Sequence, residues 1–238
     1  MKIKFVRYIT QFILLIFLSC SKNPTRLEDL STVIDVDGNV YGIIKIGKQL
    51  WMAENLKVTR YRNGDTIPHV VSAYEWHGLR NGAYCIFNND SLNFSKLGCL
   101  YNWDAVNDIR KISPKGWRVP TDDDWKELEI QLGMEPDSAD IHGFRGTDEG
   151  GKLKEVGTIH WLFPNQGATN SSGFNAISCG FRSSGGNFWA LGYRTYFWTE
   201  TEDDSSHAWG RGLYHDRADI IRGNFAKANA FSIRCLKN

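Results

Sequence analysis

His69, His77, His142, His160, His207 and His215 are the side chains best suited to proton transfer near neutral pH, and none stands at a diagnostic spacing from another. There is no His-Glu-x-x-His, which would set two metal ligands on one helical face, and no Gly-x-Ser-x-Gly elbow to expose a nucleophilic serine. Hydrolase chemistry therefore has no visible signature. The glycine-rich run Ser183-Ser184-Gly185-Gly186-Asn187 lacks the Lys-Ser/Thr ending that cradles a phosphate, and reads as a turn. No catalytic constellation is present, and catalytic residues are expected to be none.

Three other groupings carry chemistry. Glu200, Glu202, Asp203 and Asp204 form the densest acidic cluster, between Trp198 and Trp209. Such carboxylates offer weak candidates for calcium, which takes six to eight oxygens, while a charge run of this kind is normally a solvated turn. Asp35, Asp37 and Asn39 mimic the start of a calcium loop, but the twelfth position is Ile46 instead of a bidentate Glu, so no ion is expected there. The C-terminal third is crowded with aromatics. Trp189, Tyr193, Trp198, Trp209 and Tyr214 are candidates for stacking on a sugar or peptide, although core packing must claim most of them and one or two at most should be exposed.

Cysteine use bears on the compartment. Setting Cys20 aside leaves Cys85, Cys99, Cys179 and Cys235, an even number with three possible pairings and no metal-knuckle spacing. Disulfides are the expectation in an oxidising compartment, with four buried free thiols as the alternative, since free cysteine packs as a small apolar residue. Export is indicated by Lys2, Lys4 and Arg7 followed by an apolar run from Tyr8 to Leu18, too short to span a bilayer comfortably. Residues 1–19 read as a signal peptide. The ending Phe17-Leu18-Ser19-Cys20 resembles a bacterial lipobox, with Phe17 replacing the usual aliphatic, so Cys20 is the expected lipidation site and residues 20–32 the tether. A plain secretory signal with a chance cysteine is the alternative. The expected location is the cell envelope, as an outer-membrane-anchored lipoprotein.

The elements that must position these groups belong to one domain over residues 33–238. The 238-residue chain balances 28 Lys and Arg against 27 Asp and Glu, so no net field draws it to nucleic acid. Nine Trp, nine Tyr, thirteen Phe and 23 Gly fit a loop-rich β or α+β domain, not a helical bundle. Hairpins are predicted around Asp37-Gly38 and Gly47-Lys48, a turn-rich stretch over 59–93, and a short helix over Asn102–Ile109. The clearest helix starts after Thr121, with Asp122, Asp123 and Asp124 at the positive end of its dipole, Trp125, Leu128 and Leu132 on one face, and Gly133 beyond its end. Strands are predicted over 176–181, 196–199, 207–214, 219–221 and 230–236. One or two helices early and a small twisted antiparallel sheet late make the fold α+β.

Several ordered segments resemble a known family: Val40-Tyr41-Gly42, Ile46 through Leu56, Leu100-Tyr101-Asn102-Trp103, Pro114 through Thr121, Gly150 through Glu155, Gly167-Ala168-Thr169-Asn170 and Phe231-Ser232-Ile233-Arg234-Cys235. Together they resemble the Fibrobacter succinogenes major paralogous domain, from about residue 33 onward. The resemblance implies a bacterial envelope lipoprotein with a C-type lectin-like fold, similar also to formylglycine-generating enzymes, and no settled activity. The enzymatic relative holds copper with two reactive cysteines, whereas Cys85 and Cys99 are fourteen apart and outside any comparable motif. Ser113 stands where some members have cysteine, while Cys99 and Cys179 stand where small residues are expected. Set against the family pattern, this implies pairing of Cys99 with Cys179, leaving Cys85 with Cys235. The reading is a non-enzymatic envelope module that binds a glycan or a protein. An enzyme of the sulfatase-modifying type and a structural envelope component without ligand are the alternatives. Asp65-Thr66-Ile67, Asp90-Ser91-Leu92 and Asp137-Ser138-Ala139 resemble the O-glycosylation triplet of the Bacteroidetes lineage.

Overall fold

The computed structural model describes residues 31–238, so the expected signal peptide, the expected lipidation site Cys20 and most of the expected tether lie outside the described residues. Asp37-Gly38 turns β1 (Thr32–Ile34) into β2 (Val40–Ile46), with Gly38 at φ +84°, where a side chain would be strained. Gly47, at φ +59°, then turns β2 into β3 (Gln49–Met52), pairing Ile46 with Gln49. The other end of the chain completes this sheet. The last strand, Leu236–Lys237, lies between β3 and Trp117–Arg118, so that Leu236 faces Trp51 on one side and Arg118 on the other.

The intervening strands are β4 (Tyr84–Cys85), β5 (Leu100–Tyr101), β6 (Trp117–Arg118), β7 (Gly143–Arg145), β8 (Phe181–Arg182), β9 (Phe188–Trp189), β10 (Arg194–Glu202), β11 (His207–Tyr214) and β12 (Ile220–Ala226), which makes Leu236–Lys237 β13. The first sheet runs β1-β2-β3-β13-β6 and the second β10-β11-β12-β7; β4-β5 and β8-β9 are two-stranded ribbons. All these pairings are antiparallel. Helices are short: α1 (Ala73–His77), α2 (Leu92–Leu97), α3 (Trp103–Val106), α4 (Asp122–Gln131), α5 (Pro136–Ala139) and α6 (Glu149–Leu153).

The architecture is α+β, with more sheet than the small late one expected. The strand predicted over 207–214 coincides with β11. That over 219–221 extends to Ala226, because Gly223 and Asn224 interrupt the apolar pattern without interrupting the ladder to β11. Residues 176–180 and 230–232 make isolated bridges instead of strands. The helix expected over Asn102–Ile109 is a single turn ending at Val106, and Ile109, counted on its inner face, is 92% exposed.

Helix α4 carries the local signals expected of it. Thr121 Oγ1 accepts from the Asp124 N–H (3.1 Å) and Asp124 Oδ2 from the Thr121 N–H (2.7 Å), a reciprocal cap on two otherwise unpaired donors. Trp125 and Leu128 are fully buried, with Trp125 edge-on to Trp51 at 5.1 Å and near Phe174 and Phe197. Asp122, however, has more than a dipole role. It accepts from Arg211 (2.6 Å) and Arg222 (2.8 Å), while Glu129 accepts from Arg211 (2.7 Å) and from Arg145. Three sheet arginines thus meet two helix carboxylates between α4 and the second sheet.

Candidate functional site

The two exposed members of the aromatic set are Trp189 (56%) and Tyr193 (50%). Trp198 is fully buried and its indole N–H donates to the Tyr101 carbonyl at 2.8 Å, so this candidate does not reach the surface. Trp209 is half-buried under the Arg222 guanidinium, 3.7 Å from the ring centre, and Tyr214 shares a 2.7 Å hydroxyl contact with Tyr196 beneath Arg194. Residues 195–199 of β10 are buried on both faces, which encloses Trp198, whereas Trp189 lies on the short ribbon strand β9 and Tyr193 on the turn that follows it.

Trp189 stands at the rim of an open pocket of about 630 Å³. The turn 183–187 joins β8 to β9 and presents Asn187, while the loop before α1 supplies Val71 and the stretch after β4 supplies Asn88 and Asn89. Both asparagines are left-handed (φ 54° and 55°), a conformation Asn tolerates because its short side chain bonds locally. Asn89 Nδ2 donates to the Val71 carbonyl at 3.2 Å; the exposed amides of Asn88 and Asn187 have no acceptor or donor among the described residues.

Arg182 holds this pocket together. Fully buried, it donates to the carbonyls of Gly186 (2.8 Å), Val70 (2.5 Å) and Val71 (2.8 Å), and its guanidinium lies between the rings of Trp76 (4.6 Å) and Phe188 (4.8 Å). One side chain thereby ties the turn to the loop before α1. Gly186 is required for the same closure: a Cβ there would stand 2.5 Å from the Ala73 carbonyl oxygen, and φ is +87°. The glycine-rich run is a turn, as its sequence suggests, and it shapes a pocket wall.

The acidic cluster does not converge. Glu200 is half-buried on β10; Glu202 pairs with Lys227; Asp203 accepts from Asn224 Nδ2 at 2.8 Å; Asp204 caps the β10–β11 turn through the N–H groups of Ser206 (2.6 Å) and His207 (2.8 Å). Among the described residues, no group of three or more His, Cys, Asp or Glu is arranged to hold a metal.

Cys85, Cys99, Cys179 and Cys235 are free and buried, which corrects the expectation of disulfides. Cys85 and Cys179 pack in one apolar cluster, Cys99 and Cys235 in another, so each family-implied pair would draw one thiol from each. Cys179 is further fixed by Asn55 Nδ2, 3.0 Å from its sulfur. Burial pushes the thiols up, Cys85 to about 12 and Cys179 to about 11, with Cys99 and Cys235 higher still. Of the hydroxyls in the three triplets, Thr66 and Ser91 are exposed and Ser138 is half-buried.

Fold and surface define a loop-rich α+β domain with a polar, tryptophan-edged pocket. The chain belongs to the Fibrobacter succinogenes major domain family, whose model matches residues 44–237. No curated protein and no solved structure matches it. The aromatic surplus pointed to Trp189; Asn88, Asn89 and Asn187 were missed, and the signal available was the Asn88-Asn89 pair, a residue type suited to left-handed backbone.

Proposed function

We propose that this chain is a non-enzymatic binding module of the cell envelope, held to a membrane by a lipid on Cys20, that takes a glycan at the Trp189 pocket. The carrying observation is the half-exposed indole beside free amides. A sugar ring has an apolar C–H face and a rim of hydroxyls; the indole face suits the first, and amides, which both donate and accept, suit the second. We read the fold as C-type lectin-like, a reading supported by long loops carried on a sheet in which the N- and C-terminal strands are neighbours.

Binding is favoured over chemistry of the sulfatase-modifying type because a reactive cysteine acts as its thiolate. Here burial keeps all four thiols protonated at neutral pH, and none lines any of the cavities described. The residues present do not fit a copper pair.

Screened on a glycan array, the exported chain should retain a defined set of sugars, and Trp189→Ala should weaken that binding about thirtyfold, as removal of the aromatic anchor of a site does. Its melting should stay within about 0.5 kcal/mol of the parent, because the ring is a surface group. A blank array together with capture of an envelope protein would assign the module to a protein ligand instead, and turnover of any substrate would overturn the non-enzymatic reading. Anchorage has its own test. Cys20→Ser should move the protein from the membrane to the soluble fraction with its melting unchanged; retention in the membrane would remove the lipid from the proposal.

A further inference from the structure

Away from the Trp189 pocket, and sharing no residue with it, two cavities adjoin across a common wall of Lys96, Leu97 and His160. The first, of about 320 Å³, has Arg234 among its lining residues, with Lys57 and Lys96 also lining it. The second, of about 610 Å³, is bounded by the apolar side chains of Ile159, Leu162 and Leu191. Both volumes fall within the roughly 300–1,000 Å³ typical of small-molecule sites.

Charge in the first cavity is unevenly committed. Its two carboxylates have partners: Glu54 accepts from the Gly42 N–H at 2.7 Å, and Glu155 holds His160 Nδ1 at 2.9 Å. Its cations do not. Among the described residues neither Lys57 nor Lys96 has a carboxylate within ion-pair distance, and Arg234, only 1% exposed, meets none either. Arg234 donates to Asn55 Oδ1 (2.7 Å) and to the carbonyls of Phe174 (2.6 Å), Met52 (3.3 Å) and Asn175 (3.2 Å). That accounts for four of the five N–H groups of a guanidinium and leaves one without an acceptor. Glu54, on the same cavity wall, acts on this guanidinium through its charge but without a direct contact, and an anion seated in the cavity would supply the direct counter-ion that burial makes valuable.

The second cavity offers a peptide few inward partners, its unengaged polar groups being those of Lys96 and Thr158 and the Nε2 of His160. A peptide brings backbone N–H and C=O groups that require partners, yet Asn93 Nδ2 and the Ser178 hydroxyl already donate inward, to the carbonyls of Phe87 (3.1 Å) and Arg194 (2.8 Å). An alkyl chain has no such requirement. Ile159, 84% exposed, and Leu162 and Leu191, at least 40% exposed, leave apolar surface that such a chain would cover.

We propose that the two cavities form one site for a small amphiphilic carboxylate, its acid group among Lys57, Lys96 and Arg234 and its alkyl chain along Ile159, Leu162 and Leu191. Oxygens of a carboxylate match the free guanidinium N–H and the two ammonium groups, and the chain length sets the affinity through the apolar wall.

Calorimetric titration of the exported full chain carrying Cys20→Ser, without detergent, tests this. Decanoate below its micellar concentration should bind one to one, about tenfold or more tighter than octanoate. Octanol, with the same chain length as octanoate but no charge, should bind at least tenfold more weakly than octanoate, and acetate should give no heat. Lys57→Glu with Lys96→Glu, both side chains reaching solvent, should cost decanoate at least tenfold in affinity, as should Leu162→Asp, with melting of each variant checked in parallel. Trp189→Ala should bind decanoate unchanged, which separates this site from the glycan pocket. Equal affinity for octanol and octanoate, unchanged decanoate binding in the charge-reversed variant, or tighter binding of a leucine-ended peptide than of decanoate would each overturn the proposal.

Discussion

Cys179 shows how a cysteine can be read correctly for packing and wrongly for bonding. Its sulfur sits 3.0 Å from Asn55 Nδ2 in a fully buried apolar cluster, away from the cluster that holds Cys99 and Cys235. Compartment alone argues for disulfides, but a disulfide also needs two Cβ atoms about 3.5–4.5 Å apart. In the fold all four thiols are free, each shielded by burial. A thiol reagent should therefore find none in the native Cys20→Ser protein and four in denaturant. Release of fewer than four on unfolding would show that pairs form after all. Burial also sets a sign: thiols whose ionisation is pushed up in the fold stabilise it below their ordinary value of about 8.5, and that contribution fades as pH rises beyond it.

At the scale of elements, α4 is the most informative. Its N-terminus, inner apolar face and terminating Gly133 are readable from a dozen consecutive residues, because capping and i, i+3, i+7 packing are local. The helix also carries two buried carboxylates, Asp122 and Glu129, one above the other on a face that meets Arg145, Arg211 and Arg222. Burial alone would raise the Asp122 carboxyl, but Arg222 and Arg211 outweigh it and hold the group well below the usual carboxylate range. Because the folded value is depressed, the stabilisation is fully present above the unfolded value of about 3.9 and is lost as pH falls through the folded one. Urea melts of the parent should accordingly lose stability steeply below about pH 4, and Asp122→Asn should flatten that slope. An identical acid slope in the variant would reject Asp122 as its source. Arg211→Met, which removes one of the two arginines from each buried carboxylate while Arg222 and Arg145 remain, should cost about 1.5–3 kcal/mol at pH 7 through the lost charged hydrogen bonds, measured by the same melts.

For the whole molecule, closure depends on its last residues. β13 is two residues long, yet it lies inside the first sheet, with Leu236 buried, the Cys235 carbonyl accepting from Met52 N–H (2.9 Å) and the Asn238 N–H donating to Gly116 (3.0 Å). Removing Leu236–Asn238 should cost more than the roughly 2–5 kcal/mol of a buried Leu→Ala change, because backbone pairing on both sides goes with it. Loss of a cooperative thermal transition is the expected readout; a truncated chain melting within about 1 kcal/mol of the parent would show the strand to be dispensable.

What this sequence determined unaided is what neighbours along the chain decide. The Asp37-Gly38 and Gly47-Lys48 turns, the Thr121 cap, the limits of β11 and the α+β class all rest on backbone preferences and short spacings. Only tertiary structure decided the rest. Asp122 and Arg222 are one hundred positions apart, and the pocket at Trp189 joins residues 71–89 to residues 182–189. Trp189 and Trp198 are alike in type and both lie on strands, but one edges a ribbon in solvent and the other faces the core. Composition cannot tell them apart, because the face a strand residue takes depends on which segments pack across it.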